Sequence, residues 1–243
     1  MKEVNLEILS NTPLTGNVYR MCLSGDVSDI TAPGQFINIK IDGLFLRRPI
    51  SVYDRDESTV TVIYKTVGRG TGEMSAMTSG SLSVLVGLGN GYDTSLSGAR
   101  PLLLGGGVGV PPLYMLAKKL IGEGKKVSVV LGFNTASEVF CEDEFRETGA
   151  DVTVVSADGS YGRKGFVTDA LPENYSYFYT CGPEPMLRAV YRASKTSGQF
   201  SFEERMGCGF GVCMGCSCKT ITGYKRICRD GPVLQKEEIL WED

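Results

Sequence analysis

Leu104-Gly105-Gly106-Gly107-Val108-Gly109-Val110-Pro111-Pro112 decides how the middle of this 243-residue chain folds. The apolar run Pro101–Leu104 leads into it, and a helical pattern continues from it to Leu120. A strand that passes through glycines into a helix is the repeating unit of an open α/β sheet. The unit recurs downstream. Val127–Leu131, Val152–Val155 and Tyr177–Thr180 read as strands, and Glu142–Glu147 and Glu184–Ser194 as helices. In the last helix Met186, Val190 and Ala193 fall on one face. Residues 99–200 are thus expected to form a doubly wound parallel sheet.

Gly105, Gly106, Gly107 and Gly109 would let the backbone close on a pyrophosphate at the helix start, where free N–H groups favour an anion. The loop is not G-x-G-x-x-G, because Pro112 stands at the third glycine position counted from Gly107. A plain tight turn explains the same glycines. A second loop, Cys181-Gly182-Pro183-Glu184-Pro185-Met186, follows the last apolar strand and belongs to the same sheet edge. Alone, it is equally a capped helix start with a buried cysteine. Two loops on one ligand-binding edge point to a nucleotide more strongly than either does.

Residues 1–98 read as β. Val4–Leu9, Val18–Leu23, Phe36–Ile41, Pro49–Tyr53, Val60–Tyr64 and Leu82–Val86 are short alternating or β-branched runs between turn residues, the pattern of an antiparallel barrel or sandwich. One short helix is expected at Thr71–Met77. Arg47-Arg48-Pro49-Ile50-Ser51 sets two guanidinium groups beside a hydroxyl at a strand start. Tyr64-Lys65-Thr66-Val67-Gly68-Arg69-Gly70-Thr71 runs from a strand into the helix. Arginine beside a helix N-terminus makes a phosphate site, and Tyr64 offers a ring for a planar ligand. A surface hairpin with solvated charges is the simpler alternative.

Cys208, Cys213, Cys216 and Cys228 have C-x4-C-x2-C spacing with a fourth cysteine twelve residues on. That is the spacing of a plant-type ferredoxin loop around a [2Fe–2S] cluster, with glycines for the tight backbone. An all-cysteine zinc site usually carries paired C-x2-C units, and disulfides suit a reducing compartment poorly. Both stay open as alternatives. Cys218 reads as a spare thiol, and Cys22 and Cys141 as small buried hydrophobes. Residues 201–243 are expected to form a small cluster domain. It is too short for a core of its own and would be ordered by the metal and by packing on the rest.

A net charge of −3 argues against a nucleic-acid partner. No run of about 20 apolar residues suggests a membrane span, and Met1-Lys2-Glu3-Val4-Asn5 lacks the apolar core of a signal peptide, so a cytoplasmic protein is expected. Histidine is absent from the sequence, which excludes Ser-His-Asp and Cys-His catalysis, a His-ligated haem and a Rieske centre.

Together these motifs resemble the ferredoxin reductase superfamily, in which an FAD-binding barrel precedes a nicotinamide-binding domain. The added cysteines narrow the resemblance to its dihydroorotate dehydrogenase B electron-transfer subunits, over essentially the whole chain. The resemblance implies FAD contacts from Arg48, Pro49, Ile50 and Ser51, from Ile63, Tyr64 and Lys65, and from Gly70 and Thr71. It implies NAD at the two glycine loops and [2Fe–2S] on Cys208, Cys213, Cys216 and Cys228. It further implies a separate FMN-containing catalytic subunit that oxidises dihydroorotate in pyrimidine synthesis. Electrons would leave it through the cluster and FAD to NAD, in a heterotetramer with two copies of each subunit. No side chain of this chain need act as catalytic acid or base. Small subunits of NAD(P)H-ferredoxin oxidoreductases and sulfide dehydrogenases share the architecture. A stand-alone NADH-dependent reductase and a non-enzymatic metal-binding module are the remaining readings.

Asp158, after the third α/β strand, is the expected ribose ligand and favours NAD over NADP, although Arg163 and Lys164 follow closely. Arg205, Lys219, Lys225, Arg226 and Arg229 surround the cysteines and would suit an acidic partner surface, or simply face solvent.

Overall fold

The computed structural model describes residues 1–241. Its first part is a closed antiparallel barrel of β1 (Lys2–Pro13), β2 (Val18–Ser24), β3 (Phe36–Ile39), β4 (Arg48–Arg55), β5 (Thr59–Lys65) and β6 (Ser81–Leu88), in the order β1-β2-β5-β4-β3-β6. Alternate residues fill it: Leu6 and Ile8, Met21 and Leu23, Ile37 and Ile39, Val60, Val62 and Tyr64. Between β5 and β6, α1 (Arg69–Ser75) adds Met74 to that core. The helix starts two residues before the expected Thr71. Thr71 Oγ1 accepts the N–H groups of Val67 at 2.9 Å and Gly68 at 3.3 Å and turns the chain there. Asn11 Nδ2 donates to the carbonyls of Met74 (2.8 Å) and Met77 (2.9 Å) at the far end.

The second part contains β7 (Pro101–Gly106), β8 (Ser128–Phe133), β9 (Asp151–Ser156), β10 (Arg163–Lys164), β11 (Tyr177–Cys181) and β12 (Gly198–Ser201), with α2 (Tyr114–Gly122), α3 (Glu142–Glu147) and α4 (Glu184–Ala193). These strands are parallel, in the order β10-β9-β8-β7-β11-β12. Leu103, Val129, Leu131 and Tyr179 face Leu116 and Leu120 of α2 and Phe145 of α3. Their neighbours Leu102, Leu104, Val130 and Phe178 face Leu187 and Val190 of α4, so both faces are covered. The glycine loop does not enter α2 directly. Two 3₁₀ turns, Gly107–Gly109 and Pro111–Leu113, intervene, because prolines supply no N–H to an α-helical ladder. β12 has no alternation to announce it. Phe178's ring lies 2.3 Å from where a Cβ on Gly198 would be, and the Gln199 amide bonds the Asp93 carbonyl at 3.0 Å.

The strand order reverses between β7 and β11, and both glycine loops sit at that switch point, where such sheets take nucleotides. The loops touch. A Cβ on Gly109 would stand 2.3 Å from the Cys181 carbonyl oxygen, and one on Gly106 would stand 2.4 Å from Met186 Sδ. Gly109→Ala is therefore expected to force two backbones apart and cost about 1–3 kcal/mol. In a chain of this size that lowers Tm by roughly 2–10 °C. An unchanged thermal midpoint would contradict this close approach.

The C-terminal segment makes a hairpin of β13 (Ser217–Thr220) and β14 (Gly223–Arg226), one helical turn α5 (Ile227–Asp230), and β15 (Val233–Gln235). β15 pairs antiparallel with β12 and completes a seven-stranded sheet. Cys216, Ile227, Cys228 and Leu234 pack with Phe36, Leu85 and Leu88 of the barrel and with Phe178 and Phe200 of the sheet. Asn90, in the connector, donates to the Val233 carbonyl at 2.7 Å and accepts its N–H at 3.1 Å, as a neighbouring strand would. The segment is thereby fastened to both larger units. Among the described residues no helix is long and apolar enough to cross a membrane.

Candidate redox site

A cleft of about 570 Å³ opens on the barrel. β4 supplies Arg48, Pro49, Ile50 and Ser51, β5 supplies Ile63, Tyr64 and Lys65, and the start of α1 supplies Gly70 and Thr71. The Arg48 guanidinium lies across Gly70, where a Cβ would come within 2.0 Å of Nε, and it donates to the Leu46 carbonyl. A forked cation beside a hydroxyl and a helix start suits a pyrophosphate. Arg47 does otherwise: it is spent on Ser83 (3.0 Å to the carbonyl) and Glu3 in the barrel wall. Tyr64 also departs from expectation. The residue lines the cleft but is only 2% exposed: its ring stacks on Tyr19, and its hydroxyl donates to Asn11 at 3.0 Å.

A second cleft, of about 530 Å³, lies at the switch point. Gly106, Gly107, Val108, Pro183, Pro185 and Met186 line it, with Gly132, Asn134 and Glu138 after β8. Gly105 and Gly109 stand behind it, each pressed against another part of the backbone. Cys181 faces the cleft on the barrel instead. Gly182 and Glu184 turn to a smaller cavity of about 350 Å³, where Glu184 pairs with Arg188 at 2.8 Å. Asp158 is not among the residues of the second cleft. It closes a local turn, accepting from Ser160 N (2.9 Å) and Oγ (2.6 Å). The carboxylate that lines the cleft next to β8 is Glu138, which accepts from Asn134 Nδ2 at 2.8 Å.

Lys65, Val108 and Glu203 line both clefts. Glu203 carries no motif that singles it out in the sequence. Glu203 is exposed along the clefts, and the partial desolvation of its carboxyl there raises its pKa. Burial also pushes the Cys181 thiol far up, and Glu203 adds to that shift. An acid with a raised folded pKa destabilises the fold as it ionises. Stability is thus fully present below the ordinary carboxylate range and falls as pH rises towards the raised value. Glu203→Gln is expected to remove that contribution, so that Tm falls less with rising pH than in the wild type. The same slope in the variant would contradict the assignment.

The cysteines lie where the C-terminal segment meets the barrel. Cys216 and Cys228 are buried, each 2% exposed, whereas Cys213 is exposed. Cys208 Sγ receives the N–H groups of Val212 (3.3 Å) and Cys213 (3.4 Å), Cys213 Sγ that of Cys208 (3.4 Å), and Cys216 Sγ that of Cys228 (3.4 Å). Gly209, Gly211 and Met214 have positive φ, which turns these amides inward. These N–H···S bonds link the cysteines two by two, Cys208 with Cys213 and Cys216 with Cys228. Among the described residues no group of three or more ligands gathers around a single point. Two thiolate pairs side by side fit two irons bridged by sulfide better than one tetrahedral zinc. Burial opposes ionisation of Cys208, but the N–H groups of Cys213, Phe210 and Val212 outweigh it and bring its pKa to about 6. Burial and then Cys216 push Cys228 up to about 12. Cys218 packs beside this group on β13, and burial raises its pKa. Cys141, read as a small hydrophobe, has a polar partner: Arg20 Nη2 lies 3.5 Å from its sulfur.

Residues 203–240 match the family model described as the iron-sulfur cluster binding domain of dihydroorotate dehydrogenase B, and residues 103–192 match the oxidoreductase NAD-binding domain. The chain is 42% identical to the dihydroorotate dehydrogenase B (NAD(+)) electron transfer subunit of Geobacillus sp. (strain WCH70), over 99% of each chain. It is 44% identical to that of Fusobacterium nucleatum subsp. nucleatum, over 98% of this chain and 99% of the other. The chain belongs to this family. Among solved structures it is similar to an NADH-dependent reduced ferredoxin-NADP oxidoreductase, with 30% identity and a TM-score of 0.88 over 97% of this chain and 90% of that one. A ferredoxin NADP+ reductase from Neisseria gonorrhoeae shares the fold, with a TM-score of 0.69 at 15% identity over 79% of this chain and 90% of that one. The family member is an oxidoreductase subunit with FAD, NAD and an iron–sulfur cluster as cofactors.

Proposed function

We propose that the chain carries electrons between an FMN-containing catalytic subunit, which oxidises dihydroorotate to orotate, and NAD, in an assembly with two copies of each subunit. The observation that carries this reading is the sharing of walls. The two clefts share Lys65, Val108 and Glu203, and Arg205, Met206 and Pro232 of the cluster segment also line the flavin cleft. Bound flavin supplies the conversion between hydride and single electrons. The chain's own residues bind and orient. Arg48 and the start of α1 hold phosphate, the glycine loops admit the dinucleotide to the shared wall, and four cysteines fix the cluster at the other side.

The cluster loop also carries the surface that suits a partner. Phe210, Val212 and Met214 are 38%, 74% and 53% exposed, and Tyr224 of the adjoining hairpin is 71% exposed. Arg226 ties that hairpin to the loop through the Gly211 carbonyl at 2.8 Å. The basic cluster contributes less than its composition suggests, because Arg226 pairs with Asp230 and Lys225 with Glu238. Exposed apolar and aromatic side chains around a one-electron centre are the features of a docking core.

Affinity purification of the chain from its own cells, read by native mass spectrometry, tests the proposal. The expected mass is two copies of this chain with two of an FMN-binding chain. A second reading, a subunit of a ferredoxin-linked NAD(P)H oxidoreductase, draws on the 0.88 TM-score, and recovery with a large ferredoxin-reducing subunit would favour it instead.

A further inference from the structure

Phe36 and Asn38 alternate with Ile37 and Ile39 on β3. The isoleucines fill the barrel, so Phe36 and Asn38 leave it on the outer face. β3 pairs with β4 so that Phe36 stands opposite Ser51 and Asn38 opposite Pro49, both lining residues of the flavin cleft. The cluster segment covers this face. Phe36 lines the flavin cleft and shares an apolar cluster with Cys216 and Cys228. Asn38 is 1% exposed, and its Nδ2 donates to the Cys208 carbonyl at 3.2 Å. Gly209 admits it, because a Cβ there would lie 2.3 Å from Nδ2. Asn38 Oδ1 is buried with no partner. A half-satisfied amide is a poor choice for barrel stability, since an apolar side chain would fill the space without that penalty. Its distinctive contact is the hold on Cys208.

We propose that Asn38 is a positioning residue for electron transfer. From the strand behind the flavin cleft it fixes the Cys208 side of the cluster loop, and β3 forms the wall between the two redox groups. The inference deepens the proposed relay and rests on it. Asn38 acts through Cys208. Its N–H polarises that peptide and keeps water from it, and hydrogen bonding and solvent exposure around a cluster set its potential. In the forward test NADH gives a hydride to FAD; one electron crosses the wall and reduces the cluster, the other electron stays on the flavin, and the proton goes to solvent.

The test uses the full-length chain loaded with FAD and cluster, with Asn38→Leu, which has no donor, and Asn38→Ser, which keeps one. After mixing with NADH, flavin bleaching in Asn38→Leu is expected within about twofold of the wild type, while the cluster's EPR signal grows about tenfold or more slowly. The EPR line shape and midpoint potential of the dithionite-reduced protein also shift, and Asn38→Ser falls between. Wild-type kinetics, spectrum and potential in Asn38→Leu would overturn the proposal. So would joint loss of FAD and cluster in both variants, which would assign Asn38 to the fold. Loss of the cluster alone, with FAD and dye reduction kept, supports it. Should NADH bleach the wild-type flavin without ever reducing its cluster, the relay reading fails, while the dithionite spectra still decide the role of Asn38.

Discussion

Cys228→Ser is expected to abolish transfer between the catalytic partner and NAD while NADH-dependent dye reduction continues. Cys228 sits 2% exposed in the core that joins the barrel, the sheet and the C-terminal segment, and pairs with Cys216. Losing that thiolate removes half of one iron's protein ligands, so iron should fall from about two per chain towards none. The dye reaction needs only the two clefts that meet at Lys65, Val108 and Glu203. Cys218→Ser is the matching control: full iron and full partner-linked turnover are expected, because the four other cysteines are already linked two by two through N–H···S bonds. Iron and sulfide analysis decides. A cluster retained in Cys228→Ser and lost in Cys218→Ser would reverse the ligand assignment.

Arg48→Ala should release FAD. The guanidinium is the forked cation of the flavin cleft, held in place over Gly70. Removing a charge-assisted bond to phosphate costs about 2 kcal/mol, roughly a thirtyfold weaker FAD affinity. Gly70→Ala should produce the same phenotype with Arg48 still present, because its Cβ would occupy space within 2.0 Å of Nε. Flavin fluorescence released during dialysis measures both. Full retention in either variant would place the phosphates elsewhere.

Motifs that carry their own backbone demand were legible in the sequence. The six barrel strands and the main α/β strands announce themselves by alternation or apolar runs, and the cysteine spacing reports a loop geometry directly. Features that depend on a distant neighbour were not. β12 becomes a strand because β11 and β15 flank it, and β15 because it finds β12 at the sheet edge. Glu203 and Asn38 matter through what packs around them, and neither sits in a recognisable pattern. Asp158 illustrates the converse. Its position after the third strand of the sheet suggested ribose, but the nearby Ser160 satisfies the same oxygen locally and leaves Glu138 on the cleft. Tyr64 likewise had the right residue type, but strand alternation turned its ring into the barrel.

The relay itself is tested most directly by anaerobic turnover. Dihydroorotate and NAD are supplied to the FMN-containing partner alone, to this chain alone, and to the two together. NADH is expected to form only in the mixture, and not when Cys228→Ser replaces the wild-type chain. NADH formed from dihydroorotate by this chain alone, or at an undiminished rate with Cys228→Ser, would contradict it.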